Sequence, residues 1–401
     1  MPLRRHGGEA SLRDGIVARM TRSEIRGRAT SDSRSLHPVY GPNHAATTNF
    51  ENNPMHSRPV LWNQGLARAS RARPTGLTRR AKHRRSGTLS RTTSSPPATN
   101  HRLNVEADSW ERSVAFALPS RAYDLQMLDR PADRARDQGW VFGLPPGISS
   151  EQWPLDPVTG YPLMHGFTLL LPEDYRVHGD DIVAVSFFAT APDHNDGGAP
   201  DDPEIRETVM ARPSHPRLSR MTDILDYEYA ALLLTRTEYE GPLAAPPAPL
   251  ALATAERPRW LDVGSASAFF EATALYARKM FATPPRTDLG ETRAIAMSPR
   301  ANDPNAGKGP QDEHVRKNPP TGYQPYFYFV GGVPNAGNYR MHDWAKDHAP
   351  NHLGGTMRPS QAEPEMSPFY VEFEEYFGGY NFGGGNAQLD FRDMKFDWAC
   401  G

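Results

Sequence analysis

Glycine and proline punctuate residues 143–401 so densely that few elements of secondary structure can run long. Proline fixes φ and removes a backbone donor, so it ends helices and central strands. Glycine supplies the positive φ values that tight turns need. Between these breakpoints lie short apolar runs, of the length that strands have and most helices exceed. Two blocks carry the pattern most clearly. The first is Gly143-Leu-Pro-Pro-Gly-Ile-Ser-Ser-Glu-Gln-Trp-Pro, running on to Thr159-Gly-Tyr-Pro-Leu-Met-His-Gly-Phe. The second is Gly331-Gly-Val-Pro, followed after a long loop by an apolar alternation at residues 368–377 and a glycine-rich turn at 378–385. Such punctuation predicts a strand-and-loop scaffold.

The clearest strand is residues 181–190, which are β-branched and aromatic and apolar on both faces, as a central strand requires. Residues 161–171, 227–239 and 323–330 also read as strands, the last with an edge character set by Pro325. Phe369, Val371 and Phe373 alternate with Tyr370, Glu372 and Glu374, and residues 387–391 return as a second arm. The apolar phase changes after Asp393, which predicts a bulge or bend there. One amphipathic helix is expected over residues 266–281, capped by Ser265 and ended by Pro284-Pro285, and a short one over 131–138. Strands outnumber helices without regular alternation, so the class is α+β and strand-rich. The folded domain is expected to span residues 104–401, with strand-like alternation at Val114, Phe116 and Leu118.

The first hundred residues differ in kind. They hold 18 Lys+Arg against 5 Asp+Glu, a net +13, which leaves 27 against 42, a net −15, in residues 101–401. Little of this segment is apolar, and residues 1–103 are expected to be a disordered Arg-rich extension. Weak, non-specific nucleic-acid binding by residues 1–100 and an organelle transit peptide both suit its composition. Cys400 is the one cysteine, so no intrachain disulfide forms. No apolar run reaches a membrane span, no secretory signal opens the chain, and a cytoplasmic protein with no membrane contact is expected.

Most reactive motifs fail on inspection. Gly307-Lys308 lacks the upstream glycine and the following Ser/Thr of a phosphate loop, and the 378–385 turn lacks the strand–turn–helix setting of a dinucleotide site. Ala266 stands where a nucleophile elbow needs serine. Residues 193–204 match part of a calcium loop, but Gly197 and Pro200 break it, and an acidic surface turn is the better reading. His342, His348 and His352 form the one candidate metal set, with Pro350 between the last two arguing against a shared helical face. Glu372 and Glu374 share a strand face, and a solvated carboxylate pair is expected there. No cofactor is expected.

Residues 143–172 and 331–398 resemble the YwqG-like family of bacterial proteins, a domain of unknown function. The match is carried by Gly143-Leu-Pro-Pro, Trp153-Pro154, Gly160-Tyr-Pro-Leu, Gly331-Gly-Val-Pro and the glycine-rich hairpin of residues 378–391. The chain departs from that family at His165-Gly166 and at Asn335-Ala-Gly-Asn338, where the family carries Gln or Trp. The resemblance implies a strand-rich α+β fold with internal duplication. It also implies a non-catalytic binding protein, of immunity type or another protein-interaction partner, whose surface involves Trp153, Gly331, Gly332, Pro334, Gly383, Gly384 and Gly385. The acidic folded part suits a basic protein partner. Two alternatives stand beside this: a metal-assisted hydrolase using His342, His348 and His352, and a nucleic-acid-associated protein acting through its basic arm.

Overall fold

The eight residues of Ile182–Ala189 are all buried, as a strand covered on both faces demands. It pairs on one side with Met164–Leu170 and on the other with Glu228–Thr235. From this centre the fold grows outward. The computed structural model describes residues 118–194, 202–223, 225–273, 280–310, 322–332, 336–361 and 363–401. In chain order the strands are β1 (Tyr123–Met127), β2 (Gly139–Phe142), β3 (Met164–Leu170), β4 (Ile182–Ala189), β5 (Leu218–Thr222) and β6 (Glu228–Thr235). They continue as β7 (Thr292–Pro299), β8 (Phe327–Phe329), β9 (Tyr339–Met341), β10 (His352–Leu353), β11 (Tyr370–Glu374), β12 (Asn386–Asp390) and β13 (Lys395–Ala399). The helices are short: α1 (Pro203–Met210), α2 (Arg236–Glu240), α3 (Trp260–Val263) and α4 (Ser265–Ala272).

Eleven strands form one sheet in the order β13-β12-β11-β10-β1-β7-β2-β3-β4-β6-β5, and every neighbouring pair is antiparallel. Its right-handed twist curls it into a nearly closed barrel. The two edges come side by side, with the Phe396 ring of β13 4.0 Å from the Tyr229 ring of β6. Trp398 Nε1 donates to Asp223 Oδ2, just after β5, at 2.6 Å. Aromatic side chains fill the interior, where Phe167, Phe187, Phe373 and Tyr380 pack edge to face within 5.1–5.5 Å of one another in successive pairs. Strands β8 and β9 form a separate two-stranded hairpin. No helix among the described residues is long and apolar enough to cross a membrane.

The strand-rich reading holds, and several boundaries move. The expected strand 227–239 stops at Thr235, where a capping box with Glu238 starts α2. The expected 266–281 helix begins at Ser265, and α4 ends at Ala272; residues 274–279 lie outside the described residues. Ser265 does not cap it: its hydroxyl accepts from the Gly143 N–H at 3.2 Å. The N-cap is Gly264 at φ +86°, where an added Cβ would stand 2.2 Å from the Asp288 carbonyl oxygen. Residues 131–138 form a turn rather than a helix, because the Asp137 carboxylate takes the Asp133 N–H and the Arg130 guanidinium. The change of phase after Asp393 is a hairpin turn into β13, with Met394 at φ +51°. In the acidic 193–204 stretch, Asp193 accepts from the Arg259 N–H and Asp202 caps α1, while residues 195–201 lie outside the described residues. So do residues 1–117, with the basic extension and the alternation at Val114 and Phe116.

Candidate functional site

Alternation along β11 sends Val371 and Phe373 into the barrel core and Tyr370, Glu372 and Glu374 to the other face. Residues directly opposite in an antiparallel ladder share a face. The registers Asp124↔Ser298, Asp124↔His352, His352↔Glu372, Glu372↔Gln388 and Gln388↔Asp397 therefore lay one polar row across six strands. The row is covered at its centre. His352 and Glu372 are 0 % exposed and Gln388 is 2 % exposed; the loop after β10 is bonded to the row by the Arg358 N–H on Glu372, and residues 300–310 are bonded to that loop through Asp303 and Thr356. This corrects the expectation of a solvated carboxylate pair: Glu372 is sealed in, and Glu374 is partly buried.

Arg300 ties the covering loops to the row. Its Nε donates to Asp124 Oδ1 at 2.6 Å, and one terminal nitrogen donates to Asp303 Oδ2 and the Thr356 carbonyl, both at 3.3 Å. The other donates to the Ala349 carbonyl at 2.8 Å. Asp303 accepts in turn from the Thr356 hydroxyl at 2.7 Å and N–H at 2.9 Å, and from the Asn305 N–H at 2.9 Å. Glu372 accepts from the Arg358 N–H at 2.9 Å and from Asn386 Nδ2 at 3.0 Å. His352 Nδ1 bonds the Gly354 carbonyl at 2.8 Å, and its Nε2 lies 3.7 Å from Glu372 Oε1.

Burial shapes the electrostatics. It pushes the Glu372 carboxyl up to about 8, against its hydrogen bonds. Burial and then the neighbouring Glu372 push Glu374 up to about 7. Burial and then the Arg300 guanidinium lower His348 to about 4 and hold His352 well below the usual imidazole range. Burial also opposes ionisation of Asp303, yet the hydrogen bonds from Thr356 and Asn305 and the Arg300 charge hold its carboxyl below the usual value. The row thus favours neutral His352 and Glu372 side by side, next to the Arg300–Asp303 ion pair. Chemically this is a layer that pins loops to a sheet through the hydrogen bonds of Arg300, Asp303 and Glu372, while both ring nitrogens of His348, His352 Nε2 and Gln388 Nε2 are buried without a hydrogen-bond partner among the described residues. His352 and Glu372, at its centre, present no exposed surface.

The sequence-named residues scatter across the molecule. His348 and His352 are buried in the layer, while His342 is partly exposed at the end of the β8–β9 hairpin, stacked on Trp344 at 5.1 Å. No three His, Cys, Asp or Glu side chains among the described residues converge as metal ligands. The Arg300 charge beside the buried histidines also opposes a cation there. Trp153 is 1 % exposed: its Nε1 donates to the Leu163 carbonyl at 2.9 Å and its ring stacks on Trp260 at 6.4 Å, so it anchors its loop from inside. Gly331 and Gly332 are exposed at the hairpin tip, at φ +73° and +70°. Pro334 lies outside the described residues. Gly383, Gly384 and Gly385 turn β11 toward β12, and the Glu375 carboxylate accepts from the Gly384 N–H at 2.9 Å.

Sequence reasoning missed Arg300 and Asp303, whose sole local signal is an Arg-x-x-Asp spacing in a turn-rich stretch. It also missed the internal chain His165 Nε2–Thr168 Oγ1–Ser186 Oγ, at 3.0 and 2.7 Å. Burial lowers His165 to about 4. Threonine and serine here sit on adjacent strands, all three side chains are 0 % exposed, and the threonine hydroxyl satisfies the imidazole Nε2. No protein-family model matches the chain, and no curated protein and no solved structure matches it.

Proposed function

We propose that the chain is a non-catalytic binding protein that docks another protein through its β8–β9 hairpin. The observation that carries this reading is the hairpin itself. It lies outside the eleven-stranded sheet and leaves Tyr328 45 % and Val330 49 % exposed. The Tyr328 ring lies 4.7 Å from His342, which stacks on Trp344, so the exposed tyrosine is backed by its own chain's aromatic rings. Preorganised aromatic side chains are the commonest anchors of protein interfaces. Gly331 and Gly332 leave open space at the tip, where an added Cβ meets nothing within 4 Å.

A basic partner suits the net −15 of residues 101–401 through electrostatic steering. An immunity-type role follows from the YwqG-like resemblance, and so does internal duplication. The meanders β2–β3–β4 and β10–β11–β12–β13, one in each half of the sheet, are what a doubled plan would leave.

The test is co-expression with proteins encoded by adjacent genes, followed by affinity measurement on the purified pair. Tyr328→Ser is expected to weaken binding by about 2 kcal/mol, roughly thirtyfold, because a central aromatic anchor is lost. Its melting temperature should stay at the wild-type value, since the ring is half in solvent. A chain that captures no such protein and gives no protection from its toxicity contradicts the reading.

A further inference from the structure

Helix α1 rests on the body of the molecule through Ile205 and Val209, which pack with Leu155. Asp202 caps its start, and Pro213 follows soon after its end, so the chain turns there before β5. Between the last turn of α1, the 212–214 turn, β5 and the 152–155 loop lies a cleft of about 180 Å³. Most of its lining is apolar, with Trp153, Leu155 and Val209 buried beneath it. The polar lining residues are Gln152, Arg212, Ser214 and Arg220, and no carboxylate is among them. That composition stands out against the net −15 of residues 101–401.

The two guanidiniums differ. Arg220 is neutralised, because its Nε is paired with Glu228 Oε1 at 2.6 Å and a terminal nitrogen donates to the Leu155 carbonyl at 2.6 Å. Arg212 has no acid partner among the described residues. Its Nη2 donates to the Glu151 carbonyl at 3.1 Å and to the Ser150 carbonyl at 3.4 Å, which holds the group against the start of the 152–155 loop. Its Nε is buried and donates to no described residue. The cleft thus sets one uncompensated positive charge beside apolar walls.

We propose that this cleft binds a small monocarboxylate with a compact apolar stem, its charge held by Arg212. One free guanidinium calls for one negative charge, which favours a carboxylate over a doubly charged phosphate. Gln152 accepts through Oε1 from the Ser149 N–H at 3.3 Å, which leaves its Nε2 as a second donor to the ligand. Trp153 Nε1 is taken by the Leu163 carbonyl, so the indole brings ring carbons to the cleft. A cavity of about 150 Å³ takes a benzene ring, so the stem here is about the size of a phenyl or isobutyl group. Apolar walls with a few placed polar groups are the ordinary makeup of a small-molecule site. The site is built on elements other than the β8–β9 hairpin and stands independently of the docking reading.

The experiment titrates benzoate into the purified full-length chain by calorimetry, with benzamide as its neutral isostere. Benzoate is expected to bind one site with a Kd of about 1 mM or below, and benzamide at least roughly tenfold more weakly. Arg212→Gln removes the charge and should weaken benzoate at least roughly tenfold. Ser214→Trp, at an exposed position on the cleft, should abolish binding by filling it. Arg236→Gln, at an exposed arginine outside the cleft, should leave affinity unchanged, as should Tyr328→Ser. The unfolding midpoints of the variants report whether they fold. Acetyl-alanyl-leucine with a free and with an amidated C-terminus separates two sources of the carboxylate. Tighter binding of the free acid than of benzoate names the C-terminus of a protein, and weaker binding names a free small acid. Three outcomes overturn the proposal: neither acid binds at up to about 10 mM; benzamide binds as well as benzoate; or benzoate affinity persists in folded Arg212→Gln or Ser214→Trp.

Discussion

Gly166→Ala is expected to destabilise the fold by about 3 kcal/mol or more, at the upper end of the effects of overpacking a core. The cause is local and specific. The β3–β4 register breaks between His165 and Phe167, and Gly166 occupies the bulge. A Cβ placed there lies 1.5 Å from the Tyr380 hydroxyl oxygen and 2.2 Å from the ring carbon that bears it. Tyr380 has little room to retreat, because Phe187 and Phe373 hold its ring at 5.5 and 5.4 Å. The Tyr380 hydroxyl is itself buried without a hydrogen-bond partner. Tyr380→Phe alone should therefore be neutral or raise stability by about 1 kcal/mol, since an unsatisfied polar group is removed. In the double variant it should recover part of the loss, because the ring carbon stays in the way. Urea unfolding of the four proteins measures this directly. A Gly166→Ala chain as stable as wild type would show that the bulge and the tyrosine do not meet as described.

The second large effect belongs to Arg300→Met, with an expected loss of about 3–5 kcal/mol. Arg300 has a side chain 1 % exposed, and Asp303 beside it is equally sealed. Removing the guanidinium strands the Asp303 carboxylate and leaves the Thr356 and Ala349 carbonyls without that donor. Arg300→Lys should fall between, because a single ammonium cannot reach Asp124, Asp303 and two carbonyls in one fork. Adding Asp303→Asn to Arg300→Met should restore part of the loss by discharging the stranded acid. The control is Arg259, whose ion pair with Glu271 is open to water on both sides. Arg259→Met is expected to leave the unfolding midpoint unchanged. Equal losses at Arg300 and Arg259 would mean that the layer over β10–β12 is open rather than sealed.

Much of the fold was legible because strand patterning is local. The unbroken apolar run of β4 names its own burial, residue by residue, and the alternation of β11 names the face that enters the core. Other strands were not, because pairing rather than composition makes them. Strand β10 is two residues long and exists through its partners β1 and β11. Strand β5 (Leu-Ser-Arg-Met-Thr) has no run that announces it. The capping box at Thr235 and Glu238 was readable and marks the end of β6 more sharply than the apolar pattern does. The polar layer shows where sequence reasoning ends. Glu372 on an alternating strand reads as solvent-facing, and nothing nearby says that the loop carrying Arg358, tied down through Thr356 and Asp303, folds across to bond it. His348 and His352 were visible as neighbours, but the guanidinium that decides their chemistry lies at Arg300. For the β8–β9 hairpin, the glycines of the tip were legible as a turn. The aromatic stack behind it depends on how Tyr328, His342 and Trp344 come together across β8 and β9.

The central claim is that the ionisable row under the covering loops is sealed structure, not a site open to substrate. Side-chain NMR titration of His348 tests it most directly. Burial and Arg300 hold this imidazole at about 4, against about 6.5 for a free one. The folded chain then takes up fewer protons than the unfolded chain between these values. The stability His348 contributes is complete above pH 6.5 and is lost as the pH falls toward 4. The account predicts an imidazole resonance that stays neutral from pH 8 down to about pH 5, with the unfolding midpoint dropping below pH 6.5 in step with this histidine. A His348 that titrates near 6.5 would contradict it, because solvent would then reach the row and a reactive site there would be open again.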